Sequence, residues 1–186
     1  SKGILGNLTR YTVDTISQST PMLDYRASGE MMQLSKVVLG NIAGSIGETS
    51  AILILPGGLY LLYTKTASKE TVFGLLGSFI ILSGILYFSG MEQIPNPIYG
   101  LFTGGLLFGA FFMATDPISS PKTKEGKYIY GALIGIITVI IRGFALFAGG
   151  MMFAILIGNT FAPLIDEVVK MSKGKNKIKG KERRQN

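Results

Sequence analysis

Residues 71–90 form a run of twenty without a single Asp, Glu, Lys or Arg. About 20 apolar residues are what a helix needs to cross the roughly 30 Å hydrocarbon core of a bilayer. In that core each N–H and C=O must be satisfied without water, so a lone run of this kind folds as a helix. Further apolar runs cover 98–115, 128–148 and 149–165, and a longer one covers 37–63. The expected fold class is therefore an all-α integral membrane protein with about five transmembrane helices. Only 16% of the 186 residues are charged, and 25 are glycine. Glycine in apolar runs suits a bundle whose helix backbones approach closely.

The 37–63 run is longer than one span requires, and two readings fit it. One is a short entering helix, a break near Gly47 and a span through Leu61, which makes a broken or re-entrant helix. The other is a single long tilted helix with Glu48 near an interface. A carboxylate in apolar surroundings is expensive and marks a functional position. Glu48 is followed by Thr49 and Ser50, two further oxygen donors. Pro56-Gly57-Gly58 adds a kink signal.

Charge sets the expected orientation. Cytoplasmic loops are enriched in Lys and Arg. The loops at 64–70 and 116–127 are basic, and 170–184 carries eight of the 18 basic residues with one acid, Glu182. The turn at 91–97 has no Lys or Arg, and residues 1–33 are balanced. Five spans place these two groups on opposite sides. The chain then divides into an extracytoplasmic segment (1–33), a transmembrane bundle (34–168) and a basic cytoplasmic tail (169–186). That tail suits anionic lipid heads. Positive-inside bias accounts for it without nucleic acid, so none is expected.

The chain has no Cys and no His. Thiolate-held iron–sulfur clusters, His-ligated haem and zinc are thereby excluded, as is a flavin attached through Cys or His. A hydroxyl remains as an anchor for a covalent group. The segment Asp14-Thr15-Ile16-Ser17-Gln18-Ser19-Thr20-Pro21 is rich in them. On local pattern alone Thr20-Pro21 reads as a helix start, with Thr as N-cap and Pro at the first helical position. Asp116-Pro117 and Asp166 read equally as helix ends, and Arg142 lies deep in an apolar run.

Four stretches taken together give more. They are 14–20; Gly44-Ser45-Ile46-Gly47-Glu48-Thr49-Ser50; Phe112-Met113-Ala114-Thr115-Asp116-Pro117 with its Lys-rich loop; and Asn159-Thr160-Phe161-Ala162-Pro163-Leu164-Ile165-Asp166. In order and spacing the chain resembles the NqrB/RnfD family. These are the large membrane subunits of the Na⁺-translocating NADH:quinone oxidoreductase and of the Rnf electron-transport complex. The likeness covers the C-terminal half of a typical member and implies a further half upstream. The compact tail favours the Rnf type.

The resemblance implies a covalent FMN. A flavin transferase joins the FMN phosphate to a Thr hydroxyl in a pattern of the type Asp-x-x-Ser/Thr-Gly-Ala-Thr. Asp14, Ser17 and Thr20 match it, while Gln18 and Ser19 replace Gly and Ala. Thr20 would carry the phosphothreonyl flavin on the extracytoplasmic side, with Asp14, Ser17, Ser19, Glu48 and Thr49 as cofactor-site residues. A non-covalent riboflavin is also implied. Membrane-embedded carboxylates serve cation transfer in the family, a role that falls here on Asp116 and Asp166. Partners would be the other membrane and flavoprotein subunits of one complex in the cytoplasmic membrane. The function implied is an electron-carrying, FMN-bearing subunit of an oxidoreductase that moves Na⁺ or H⁺. The alternative is a channel or solute transporter without a redox cofactor, since broken Gly-rich helices also build transporters.

Overall fold

The computed structural model of the chain describes Tyr25 and residues 32–40, 42, 49–91, 93–145 and 150–182, with side chains through residue 174. Among the described residues the secondary structure is helical throughout, without a strand. The order is α1 (Leu34–Leu39), α2 (Ala51–Tyr63), α3 (Lys69–Phe88), α4 (Pro97–Phe102), α5 (Leu106–Phe108), a π-helical turn (Gly109–Met113), α6 (Lys124–Phe144) and α7 (Gly150–Glu182). Lys69–Phe88, Lys124–Phe144 and Gly150–Gly174 are each long and apolar enough to cross a membrane. The chain is a multi-pass, all-α membrane protein.

Small residues decide which helices pair. The most extensive contact joins α3 to α6. On α6, Gly131 and Gly135 lie one turn apart on one face, and Gly74 answers them from α3. A Cβ on Gly131 would overlap the Thr71 carbonyl, one on Gly135 the Leu75 carbonyl and Ser78 hydroxyl, and one on Gly74 would sit 2.7 Å from the Tyr128 carbonyl. Hydrocarbon lipid gives no hydrophobic drive for helices to associate, so close backbone contact of this kind supplies the dispersion energy. α7 packs on α6 with Gly158 making room for the side chains of Tyr130 and Ile134. The core between them holds Leu75 and Phe79 of α3, Tyr130 and Ile134 of α6, and Ala154 and Ile155 of α7. Leu106 and Ala110 of the α5–π segment enter the same core. Large apolar side chains elsewhere point outward, Phe88 and Ile81 among them, as lipid-facing surfaces require. Buried hydroxyls bond back along their own helices, as Thr138 does to the Ile134 carbonyl (2.8 Å).

Two expected spans differ from the sequence reading. The run 98–115 is not one helix but α4, a break at 103–105, and the α5–π segment. Gly104 and Gly105 hold φ values of +60° and +65°, left-handed backbone that glycine adopts without a Cβ clash. The last span does not stop at Pro163 or Asp166, because α7 continues through Pro163 to Glu182. Lys, Glu and Met beyond Asp166 are good helix formers, and one proline removes only one amide donor. Pro56 likewise sits inside α2 without ending it. α2 has 13 residues, about 20 Å at 1.5 Å per residue, which is shorter than a full span. The break expected near Gly47 falls outside the described residues.

The two ends of the bundle differ in charge. Asp166 of α7 accepts from the Lys122 and Thr123 amides, and Lys173 pairs with Glu125 at 2.6 Å. The α2–α3 turn shares a cleft with Thr115, Pro117, Ser120 and Lys127. The three basic segments therefore gather at one end. At the other end Ile94 of the 91–96 turn packs near Gly143 of α6.

The Gly contacts make a prediction. Gly135→Leu should separate α3 from α6 and cost at least the roughly 1–3 kcal/mol of ordinary overpacking. Its melting temperature in mild detergent should fall clearly. Gly77→Leu, where no atom lies within 4 Å of an added Cβ, should leave it nearly unchanged. Equal melting of the two variants would refute the packing account.

Candidate functional site

The broken helix is the most unusual polar feature of the interior. α4 starts with Pro97 at its first position and Asn96 as cap, whose side chain accepts from the Ile98 amide at 2.9 Å. After six residues the helix ends inside the bundle, where carbonyls would otherwise lack donors. Arg142 of α6 supplies them. Its Nη1 donates to the Gly100 carbonyl at 2.7 Å, and its Nη2 to the carbonyls of Thr103 (3.0 Å) and Gly104 (2.8 Å). The residue is 4% exposed. Its guanidinium lies 5.4 Å from the Phe79 ring centroid, which adds a cation–π contact. A helix C-terminus carries partial negative charge, so a cation there is favoured. The planar fork lets one side chain donate to several separate carbonyls, which a single ammonium does less well. A Cβ on Gly104 would come within 2.9 Å of Nη2, so that position admits little beyond glycine.

Beside Arg142 is a narrow cavity of about 10 Å³ lined by Phe79, Ser83, Ile94, Pro97, Gly100 and Val139. It has room for about one water and none for a flavin ring. Tyr99 of α4 is buried, and its ring centroid lies 6.5 Å from that of Tyr25. Chain ahead of the bundle thus returns to the broken helix.

The two carboxylates expected in cation transfer meet at one loop at the opposite end. Asp116 opens the loop and accepts from the Ser119 amide at 3.0 Å and from the Ser119 hydroxyl. That hydroxyl is the main reason its carboxyl is held below the usual range, so the group is an anion at neutral pH. Asp166 closes the loop from α7, accepting from Lys122 N (2.7 Å), Thr123 N (3.0 Å) and Thr123 Oγ1 (2.7 Å). Thr123 in turn caps α6, accepting from the Gly126 amide at 3.2 Å. Asp166 is not a helix end, since it sits within α7 and ties α7 to the start of α6. Among the described residues no three Asp, Glu, His or Cys gather as metal ligands would.

Of the cofactor-site residues, Asp14, Ser17, Ser19, Thr20 and Glu48 lie outside the described residues. Thr49 is half-buried next to Ser50, the residue that precedes α2. Two features escaped the sequence reading. One is the Arg142 cap, whose signal was the Gly104-Gly105 pair in an apolar run. The other is the hydrogen bond from the Tyr130 hydroxyl to Asn159 Oδ1, which joins α6 to α7.

Fold and site define a multi-pass helical membrane protein with a broken intramembrane helix held by a buried arginine. Sequence comparison narrows the class. The profile of the NQR2, RnfD, RnfE family matches residues 5–175, and the chain belongs to that family. It is 46% identical over 147 residues to the B subunit of the Na(+)-translocating NADH-quinone reductase of Ectopseudomonas mendocina, covering 75% of this chain and 36% of that one. With the corresponding reductase protein of Klebsiella pneumoniae it shares 37% identity over 183 residues, covering 89% and 44%. The chain thus spans less than half the length of these relatives.

The geometry at Arg142 predicts an order of stability. Arg142→Leu removes these donors from two buried carbonyls and the part-buried carbonyl of Gly104, at about 1–3 kcal/mol for each buried group left unsatisfied. Arg142→Lys keeps the charge but not the fork. Melting temperature in detergent should fall in the order Arg, Lys, Leu. A Lys variant as stable as wild type would show that the fork is not needed.

Proposed function

We propose that the chain is part of an FMN-carrying membrane subunit of an ion-translocating oxidoreductase. Family membership over residues 5–175 carries this reading, with Asp14, Ser17 and Thr20 in the flavin-attachment pattern. The two relatives are named as proteins of the Na⁺-translocating NADH-quinone reductase, which favours that complex over the Rnf type and favours Na⁺ as the translocated ion. Other subunits of such a complex and a flavin transferase are the partners proposed.

Thr20 is five residues ahead of Tyr25. At most about 3.6 Å per residue, its Cα lies within roughly 18 Å of Tyr25, and Tyr25 packs on Tyr99. A flavin on Thr20 would therefore sit within reach of α4, at the end of the bundle opposite the basic loops. By charge bias that end is extracytoplasmic. When bound, the flavin supplies the redox chemistry. The chain's own part is to anchor it, to hold α4 through Arg142, and to close the far end through Asp166. The cation path would include Asp116 and Asp166, the carboxylates at the two ends of the 116–123 loop.

A broken helix is also what a transporter without a redox cofactor would present. In-gel fluorescence under denaturing conditions separates the two. Protein matured in its own host should give a flavin band that survives denaturation and disappears in Thr20→Ala. Thr20→Ser, which keeps a hydroxyl, should keep at least part of it. A dark wild-type band would favour the transporter.

A further inference from the structure

At the basic end of the bundle a cleft of about 430 Å³ opens between the α2–α3 turn and the 116–123 loop. Small-ligand pockets span roughly 300–1,000 Å³. Lys65, Lys69 and Lys127 line it together with Ser68 and Ser120, and Glu70 is the acid among the described lining residues. Its formal charge is therefore positive.

Both walls are pinned. In the α2–α3 turn the amides of Thr66 and Ala67 donate to the Leu61 carbonyl and that of Lys65 to the Leu62 carbonyl. Lys65 itself is held at φ +60°, a left-handed conformation rare outside glycine. Ala67 beneath it is 5% exposed. The opposite wall is fixed by the hydrogen bonds of Asp116 and Asp166. The lysines therefore project from a shaped site.

One side of the cleft is apolar. Leu62 and Tyr63 line it, and Tyr63 is 85% exposed. Tyr60 and Leu59, also exposed, continue the strip along α2 toward the bilayer interior. A ligand that uses the whole site needs an anionic head for the lysines and hydroxyls, and an apolar body for the strip. A soluble phosphate would use only the first half.

We propose that this cleft binds the phosphate of an anionic phospholipid headgroup, with the acyl chains lying along α2. Basic pockets between helices at the membrane surface are suited to such heads. A zwitterionic lipid would bring a cation against the three lysines and bind less well.

The test uses the full-length protein purified from its own membrane, delipidated in neutral detergent and titrated in native mass spectrometry. Phosphatidylglycerol should be retained, phosphatidylcholine much less. The triple variant Lys65→Gln/Lys69→Gln/Lys127→Gln should lose retention by at least about tenfold, since each basic residue near an anionic surface is worth about fivefold. Lys122→Gln/Lys124→Gln, changed in the neighbouring loop but outside the cleft lining, should retain the lipid as wild type does. The three-lysine exchange to Arg, which keeps the charge, should restore binding and so exclude misfolding as the cause of the loss. Equal retention of the two lipids, retention by the Gln triple variant, or equal loss in the loop control would overturn the proposal. Displacement of the lipid by inorganic phosphate alone would also overturn it, marking a soluble-anion site.

Discussion

Carbonyl oxygens freed by a helix break inside a bilayer have no water to turn to, and in this chain a guanidinium meets that need. Arg142 donates to the carbonyls of Gly100, Thr103 and Gly104. The arrangement places a charge in the interior against neutral carbonyl dipoles and the Phe79 ring. Burying a charge is costly unless its donors are used, and the fork of arginine spreads them over several acceptors. The break at 103–105 and the arginine explain each other. Without the break the cation would lose three acceptors, and without the cation the α4 end would lose these donors.

α6 carries both ends of the scheme. Near its C-terminus Arg142 fixes the broken helix, and at its N-terminus Thr123 and Asp166 tie it to α7. Along its length Gly131 and Gly135 let α3 approach to backbone contact. A post fixed at both ends holds two distinct surfaces in register, the Tyr99–Tyr25 contact at one end and the lysine-lined cleft at the other.

The helical, membrane-spanning character was legible in the sequence because a bilayer leaves an uncharged run of twenty residues little else to do. The span at 71–90 was readable for that reason, and the one at 128–148 from an apolar run that Arg142 alone interrupts. The break in 98–115 was not, because hydropathy sees Gly104 and Gly105 as acceptable spanning residues. The arginine that makes the break stable is far along the chain, on another helix. Pro163 and Asp166 read as a stop because local rules do not register the amides of Lys122 and Thr123, which hold Asp166 inside a continuous helix. The family was legible from four spaced stretches, and the match across residues 5–175 agrees with that. Asp116 and Asp166 were singled out separately by resemblance. Their meeting at one loop is a matter of tertiary structure.

The proposed flavin attachment is a matter of covalent chemistry: a phosphodiester would join FMN to Thr20. Cleavage after Arg10 and Arg26 releases residues 11–26 as one peptide that contains Thr20 and no other candidate Asp-x-x-Ser-x-x-Thr site. Mass spectrometry of this peptide from protein matured in its own host tests the claim directly. The account predicts a peptide heavier by one FMN less one water, with fragment ions placing the addition on Thr20. A peptide of unmodified mass, or an addition on another residue, would contradict it.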